Sequence, residues 1–278
     1  MTRTRLLAAL VMAPLAIAAI LLLPTDWMMT LAAVVFMLGL WEWFDLAEID
    51  DPLARTVLLV AHLALMVALV WASRSSSGFS FVLLELMTVI GVIWWLLALV
   101  WLGRYRFASD HDTHARMFKL AAGALATIPA WCALAWIHAG QPNGHRWLLC
   151  ALMVVWAADT GAYFSGRHFG RHKLAPKISP NKTVEGLVGG MLLAVIVGVA
   201  LSLFAGATTA QLPAVAAVSL LAALFSVVGD LFESLLKRHA GVKDSGALIP
   251  GHGGVLDRLD GVLAALPAFA LGKAVLGF

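Results

Sequence analysis

The stretch LVGGMLLAVIVGVALSLF, Leu187 to Phe204, carries no charge over eighteen residues. As an α-helix it would reach about 27 Å, close to the ~30 Å hydrocarbon core of a bilayer. Similar runs recur along the chain. Only helices and closed barrels satisfy their backbone in lipid, so the runs predict helices at roughly 6–24, 27–47, 53–72, 80–102, 117–138, 146–165, 184–206, 212–236 and 256–276. Composition agrees: 62% of the 278 residues are hydrophobic and 13% charged, against about 25% charged in a soluble domain. The expected fold is all-α, a polytopic integral membrane helical bundle of about nine transmembrane helices. No linker or low-complexity segment divides it. One membrane domain spans 1–278, with N-terminal helices in 1–145 and the polar motifs in 146–278. The run Leu6 to Pro24 exceeds the about 7–15 apolar residues of a signal peptide and is read as a retained helix.

Charge placement orients the bundle. Sixteen of the nineteen Lys and Arg fall in the N-terminal tail and the second, fourth, sixth and eighth loops; the other side has Arg74, Arg146 and Lys273. The positive-inside rule places the N-terminus and the even loops in the cytoplasm and the C-terminus outside. The net charge is only +3 and no solvated basic tract stands apart from the membrane-flanking loops, so no nucleic acid is expected. Cys132 and Cys150 lie in or near apolar runs without metal or redox spacing and read as buried free thiols. Trp27, Trp41, Trp43, Trp101 and Trp147 fall near expected helix ends, the place of an interfacial aromatic belt.

Most of the polar chemistry lies between Asp230 and Asp260. Asp230, Ser234 and Lys237 are spaced i, i+4, i+7 and share a helix face, with Arg238 beside them. A charge at mid-bilayer costs about 2.5–3.5 kcal/mol, so Asp230, two turns inside Lys237, indicates a polar cavity. Snorkelling to the headgroups is the plainer reading of Lys237 and Arg238. Asp257 and Asp260, at i and i+3, face one way and repel unless a cation lies between them. Oxygen ligands favour magnesium, which also takes substrate phosphates; a salt bridge to Arg258 is the alternative. The glycines of Gly251-His252-Gly253-Gly254 admit close backbone approach, and their N–H groups near a helix start form an anion site. His252 is a candidate base or phosphate contact, and Lys243 a nearby cation.

The sixth loop and its flanks form a third group. Asp159 sits inside an apolar run, a functional candidate by default. Ser179-Pro180-Asn181-Lys182-Thr183 reads as a rigid turn feeding a helix. The basic residues of this loop could equally contact anionic headgroups.

These residues carry a resemblance. Ser234-x-Leu236-Lys237-Arg238, then Lys243-Asp244-x-Gly246, then Ile249-Pro250-x-His252-Gly253-Gly254-Val255-x-Asp257-Arg258-Leu259-Asp260 resembles the signature of the phosphatidate cytidylyltransferases, or CDP-diacylglycerol synthases. Ala158-Asp159-Thr160-Gly161-Ala162-Tyr163 and Ser179-Pro180-Asn181-Lys182-Thr183-x-Glu185-Gly186 are similar to further elements of that family, and Trp41-Glu42-Trp43 is a fainter echo.

The resemblance implies an enzyme that joins CTP and phosphatidic acid, giving CDP-diacylglycerol and pyrophosphate with Mg2+ at the cytoplasmic face of the inner membrane. It implies metal ligation by Asp230, Asp257 and Asp260, catalysis by these with Lys237, and phosphate contacts from Arg238, Lys243 and Arg258. Ser234, Ser179, Asn181, Lys182, Asp159, His252, Gly253 and Gly254 would line the substrate site. A second cation and a homodimer are left open. Intramembrane acids also suit a transporter, but the polar residues concentrate in cytoplasmic loops rather than in broken mid-membrane helices. A CDP-alcohol phosphotransferase is disfavoured, because Asp-x-x-Asp after His-Gly-Gly is not its spacing. A diverged relative acting on another phospholipid is a third alternative.

Overall fold

A computed structural model of the chain describes residues 2–75, 78–248 and 253–278. Among these residues there are nine helices: α1 (Thr2–Leu22), α2 (Thr25–Leu46), α3 (Pro52–Ala72), α4 (Val82–Gly103), α5 (Thr113–Ala139), α6 (Gly144–Phe169), α7 (Val184–Phe204), α8 (Leu212–His239) and α9 (Leu256–Leu276). From α2 onward all eight are long and apolar enough to cross a membrane; the apolar part of α1 among the described residues, Met12–Leu22, is shorter. The all-α expectation holds, with two small antiparallel ribbons in the loops: β1 (Arg74–Ser75) with β2 (Gly78–Phe79), and β3 (Lys173–Ala175) with β4 (Ser179–Thr183). Ser179 to Thr183 is therefore a strand rather than the expected turn, and it does feed a helix. The Thr183 hydroxyl accepts from the Gly186 N–H at 3.1 Å and caps α7.

Helix α5 runs through the centre, buried continuously from Ala126 to Ala135. The closest pairings use glycines, because in lipid two helices gain mainly by near approach of their backbones. A methyl group at Gly189 on α7 would stand 1.9 Å from the Ser165 hydroxyl of α6. Where α8 crosses α9, a methyl at Gly229 would stand 2.2 Å from the Asp260 carbonyl oxygen. That crossing sets Asp230 against the first turn of α9.

Three of the five tryptophans expected in an interfacial belt are core residues. Trp43, Trp101 and Trp147 are buried, and only Trp27 is largely exposed. Phe232 of α8 explains two of them. Its ring stacks on Trp43 and meets Trp94, Trp95 and Trp101 edge-on, with centroids 5.2–6.1 Å apart. Indole N–H groups in this core find backbone carbonyls: Trp43 donates to Lys119 at 2.8 Å and Trp95 to Leu263 at 3.1 Å. Cys132 and Cys150 are free and buried, as expected.

Contacts define the two ends of the bundle. At one, Glu48 after α2 accepts from His111 at 2.8 Å and from fully buried Lys119 of α5 at 3.1 Å. Burial pushes the Glu48 carboxyl up, but the bonds from His111 and Lys119 prevail and hold it below the usual range. At the other end, His138 of α5 bonds Thr25 at 3.0 Å and the Ile20 carbonyl at 3.1 Å.

Candidate active site

The site is built on α8. Phe232, Leu235 and Leu236 bury one face in the aromatic core, which turns Asp230, Glu233, Ser234 and Lys237 to the other. Lys237 is buried and does not snorkel. Its ammonium lies 2.9 Å from a Glu233 oxygen and 2.7 Å from an Asp257 oxygen, joining α8 to α9. Removing one member of such a buried set leaves an uncompensated charge, at a cost of about 3–5 kcal/mol. Arg238 is exposed, and its Nε donates to the Ile178 carbonyl at 3.2 Å, tying the β3–β4 ribbon to the end of α8.

The same ribbon delivers Lys182, which pairs with Asp230. Glu185 clamps the ribbon's base by accepting from the Arg171 N–H at 3.0 Å and the His172 N–H at 3.2 Å. Ser234 donates to Asp230 at 3.4 Å. Asp159, on α6, lies within electrostatic reach of Asp230, Lys182 and Arg258. Asp260 lies among Asp230, Glu233 and Asp159. Asp159, Asp230, Glu233 and Asp260, from three helices, thus share one electrostatic neighbourhood with Lys182, Lys237 and Arg258 at one end of the bundle. Arg258 lies within electrostatic reach of Asp159, besides the neighbouring Asp257 and Asp260 that its sequence position suggested.

Asp257 neighbours Glu233 through their shared partner Lys237. It turns back to accept from the Gly254 N–H at 2.8 Å and the Ser245 N–H at 3.2 Å, besides Lys237. The Gly254 N–H is therefore engaged by Asp257. Gly253, at φ +82°, passes so close that a methyl there would stand 2.7 Å from an Asp257 oxygen. Glycine is required at that point by the carboxylate. His252 lies outside the described residues. Lys243 is exposed on the loop before α9. Ser179 and Asn181 precede Lys182 on β4 and make no side-chain hydrogen bond among the described residues.

Two acids were missed in the sequence. Glu42 of α2, only 2% exposed, accepts from the Ser245 hydroxyl at 3.1 Å and the Leu256 N–H at 2.8 Å. Ser245 in turn accepts from the Asp257 N–H at 3.3 Å. Glu42 thereby staples the loop before α9 to the N-terminal half. An acid between two tryptophans in an apolar run was the available signal. Glu233, 1% exposed, stands three residues after Asp230 and four before Lys237, so helical spacing alone placed it on the polar face.

Among the described residues no group of three or more His, Cys, Asp or Glu stands ready to hold an ion. The donor chemistry nevertheless fits a hard divalent cation. The second oxygen of Glu233 is buried without a hydrogen-bond partner, and the Asp260 carboxyl lies beside it. Carboxyls in that relation call for a proton or a cation between them.

Comparison with known proteins bears on this geometry. A family model described as the cytidylyltransferase family matches residues 3–275. The protein of Pseudomonas aeruginosa named phosphatidate cytidylyltransferase is 36% identical over 290 residues, covering 97% of this chain and 96% of its own length. The chain belongs to the phosphatidate cytidylyltransferase family. A relative of the same name from Haemophilus influenzae is 35% identical over 283 residues, covering 97% and 98% of the two chains. Another from Staphylococcus saprophyticus is 46% identical over 132 residues, 48% of this chain and 50% of its own. This family member is thus a multi-pass membrane enzyme, a nucleotidyltransferase, and the resemblance carried by its signature residues is borne out.

Proposed function

We propose that the chain transfers the cytidylyl group of CTP to phosphatidic acid. A phosphate oxygen of the lipid bonds to the α-phosphorus of CTP, the bond to the β-phosphate breaks, and CDP-diacylglycerol and pyrophosphate form. The observation that carries this reading is the convergence of Asp159, Asp230, Glu233 and Asp260 with Lys182, Lys237 and Arg258 at one end of a membrane bundle. A lipid phosphate and a water-soluble nucleotide can both reach that place. The names of the relatives support the same reading.

A lipid phosphate dianion needs little deprotonation, so the chain's task is positioning and charge neutralisation. Lys182 and Arg258 line the cleft as phosphate contacts, with Arg238 and Lys243 on its rim. Lys237 holds Asp257 and Glu233 in place. Asp230 and Asp260 would hold Mg2+ together with Glu233, and Asp257 would act from behind, fixing the loop and Lys237. The ion would offset charge on the triphosphate as the pyrophosphate leaves. The charge bias along the chain supports a cytoplasmic site and N-terminus, an external C-terminus, and residence in the inner membrane.

Direct attack predicts inversion at the α-phosphorus, read with a chiral α-thio analogue of CTP. Net retention requires two displacements through a nucleotidyl-enzyme, and would overturn the single-step scheme.

A further inference from the structure

Far from the catalytic end, a cavity of about 460 Å³ opens between α2, α3 and α5. Met29, Ala33, Leu63, Met66, Val67 and Val70 form its walls. Asp26, at the start of α2, and Arg74, just past α3, also line it. Both belong to the end of the bundle opposite Glu48 and the candidate site. Among the described residues neither charge makes an ion pair.

We propose that this cavity binds a zwitterionic phospholipid of the leaflet opposite the active site, an activity-independent site that does not rest on the proposed reaction. Three observations lead there. First, α3 is loosely held: it exposes Leu53, Val57, Val60, Leu63, Leu65 and Val67. Left empty, the gap would strip its lining of contacts on one side, which close-packed interiors avoid. Second, the wall is apolar and lies within the spans, where the available filler is an acyl chain. Third, the lining carries one cation and one anion. Arg74 matches a lipid phosphate and can bond two of its oxygens. Asp26 matches a primary ammonium. An anionic headgroup without an amine would satisfy Arg74 and meet repulsion from Asp26. The size lies within the usual range for small-ligand sites, about 300–1,000 Å³.

The test is native mass spectrometry of the full-length protein in detergent, titrated with phosphatidylethanolamine or phosphatidylglycerol of identical acyl chains. The wild type should retain the ethanolamine lipid about fivefold better, the size expected of one partly exposed ion pair. Asp26→Asn should erase that preference, and Arg74→Gln should lower retention of both lipids, with cytidylyl transfer unchanged in each. Both variants alter surface charges, and an unshifted melting temperature confirms folding. Equal retention of the two lipids by the wild type, a preference for phosphatidylglycerol, or a wild-type preference surviving in Asp26→Asn would overturn the proposal. So would a wild-type dimer that Arg74→Gln splits, since the occupant of the gap would then be a second copy.

Discussion

Gly229→Ala tests the crossing that assembles the site. The new methyl would stand 2.2 Å from the Asp260 carbonyl oxygen and 3.0 Å from its carbonyl carbon. The obstacle is backbone, so no side chain can rotate aside. Restoring an ordinary 3.4 Å contact from 2.2 Å moves α8 and α9 apart by about 1.2 Å at Asp260. Overpacking of this kind costs about 1–3 kcal/mol of stability. A displacement of about 1 Å between catalytic groups costs about 100-fold in turnover. The assay is kcat for cytidylyl transfer by purified protein, alongside a thermal melt in detergent. Gly272→Ala is the control. Its methyl would stand 2.8 Å from the Val218 Cγ2 atom, in the same helix pair but against a side chain at the far end. It should lower the melting temperature and leave kcat near wild type. The reasoning is refuted if Gly229→Ala keeps wild-type kcat, or if Gly272→Ala loses as much turnover as Gly229→Ala does.

Glu42→Ala removes the acceptor of the Ser245 hydroxyl and the Leu256 N–H, at about 1–3 kcal/mol for buried groups left unpaired. It should expose the loop before α9 to trypsin at Lys243, while Glu42→Gln, which keeps an acceptor oxygen, should resist cleavage better; cleavage of Glu42→Ala no faster than wild type would dismiss the staple. Topology is read by thiol labelling, because Cys132 and Cys150 are buried. His172→Cys should react only from the cytoplasmic side and Ala210→Cys, exposed at the end that carries the C-terminus, only from outside, and labelling of position 172 from outside alone would invert the orientation.

Much of this architecture was legible in the chain. Spans such as Val184–Phe204 and Leu256–Leu276 follow from apolar length, and the observed bounds differ from expectation mainly where polar ends extend a helix, as at Gly144–Phe169. The polar face of α8 follows from 3.6-residue spacing. What stayed hidden depends on partners distant in sequence. Trp43 and Trp101 read as belt residues because nothing local announces Phe232, which draws both into the core. Lys237 read as a snorkelling cation because its partner Asp257 is twenty residues away. Asp257 and Asp260 share a face on helical spacing, yet the loop N–H groups of Ser245 and Gly254 claim one and leave the other to the cluster. Glu42 lies 203 residues before Ser245, and periodicity carries no information on such a pair. The β4 strand depends on its partner β3 across a short turn, while Pro180 and Asn181 by themselves suggest only the turn.

The central claim is that the carboxylate cluster carries out magnesium-dependent cytidylyl transfer to a lipid. Purified protein with labelled CTP, phosphatidic acid and Mg2+ should release pyrophosphate and CDP-diacylglycerol one for one. Chelation of the metal, or Asp260→Asn in a protein that still folds, should lower that rate by orders of magnitude. Movement of CTP or lipid without pyrophosphate release, or product formation undiminished by both perturbations, would contradict the account.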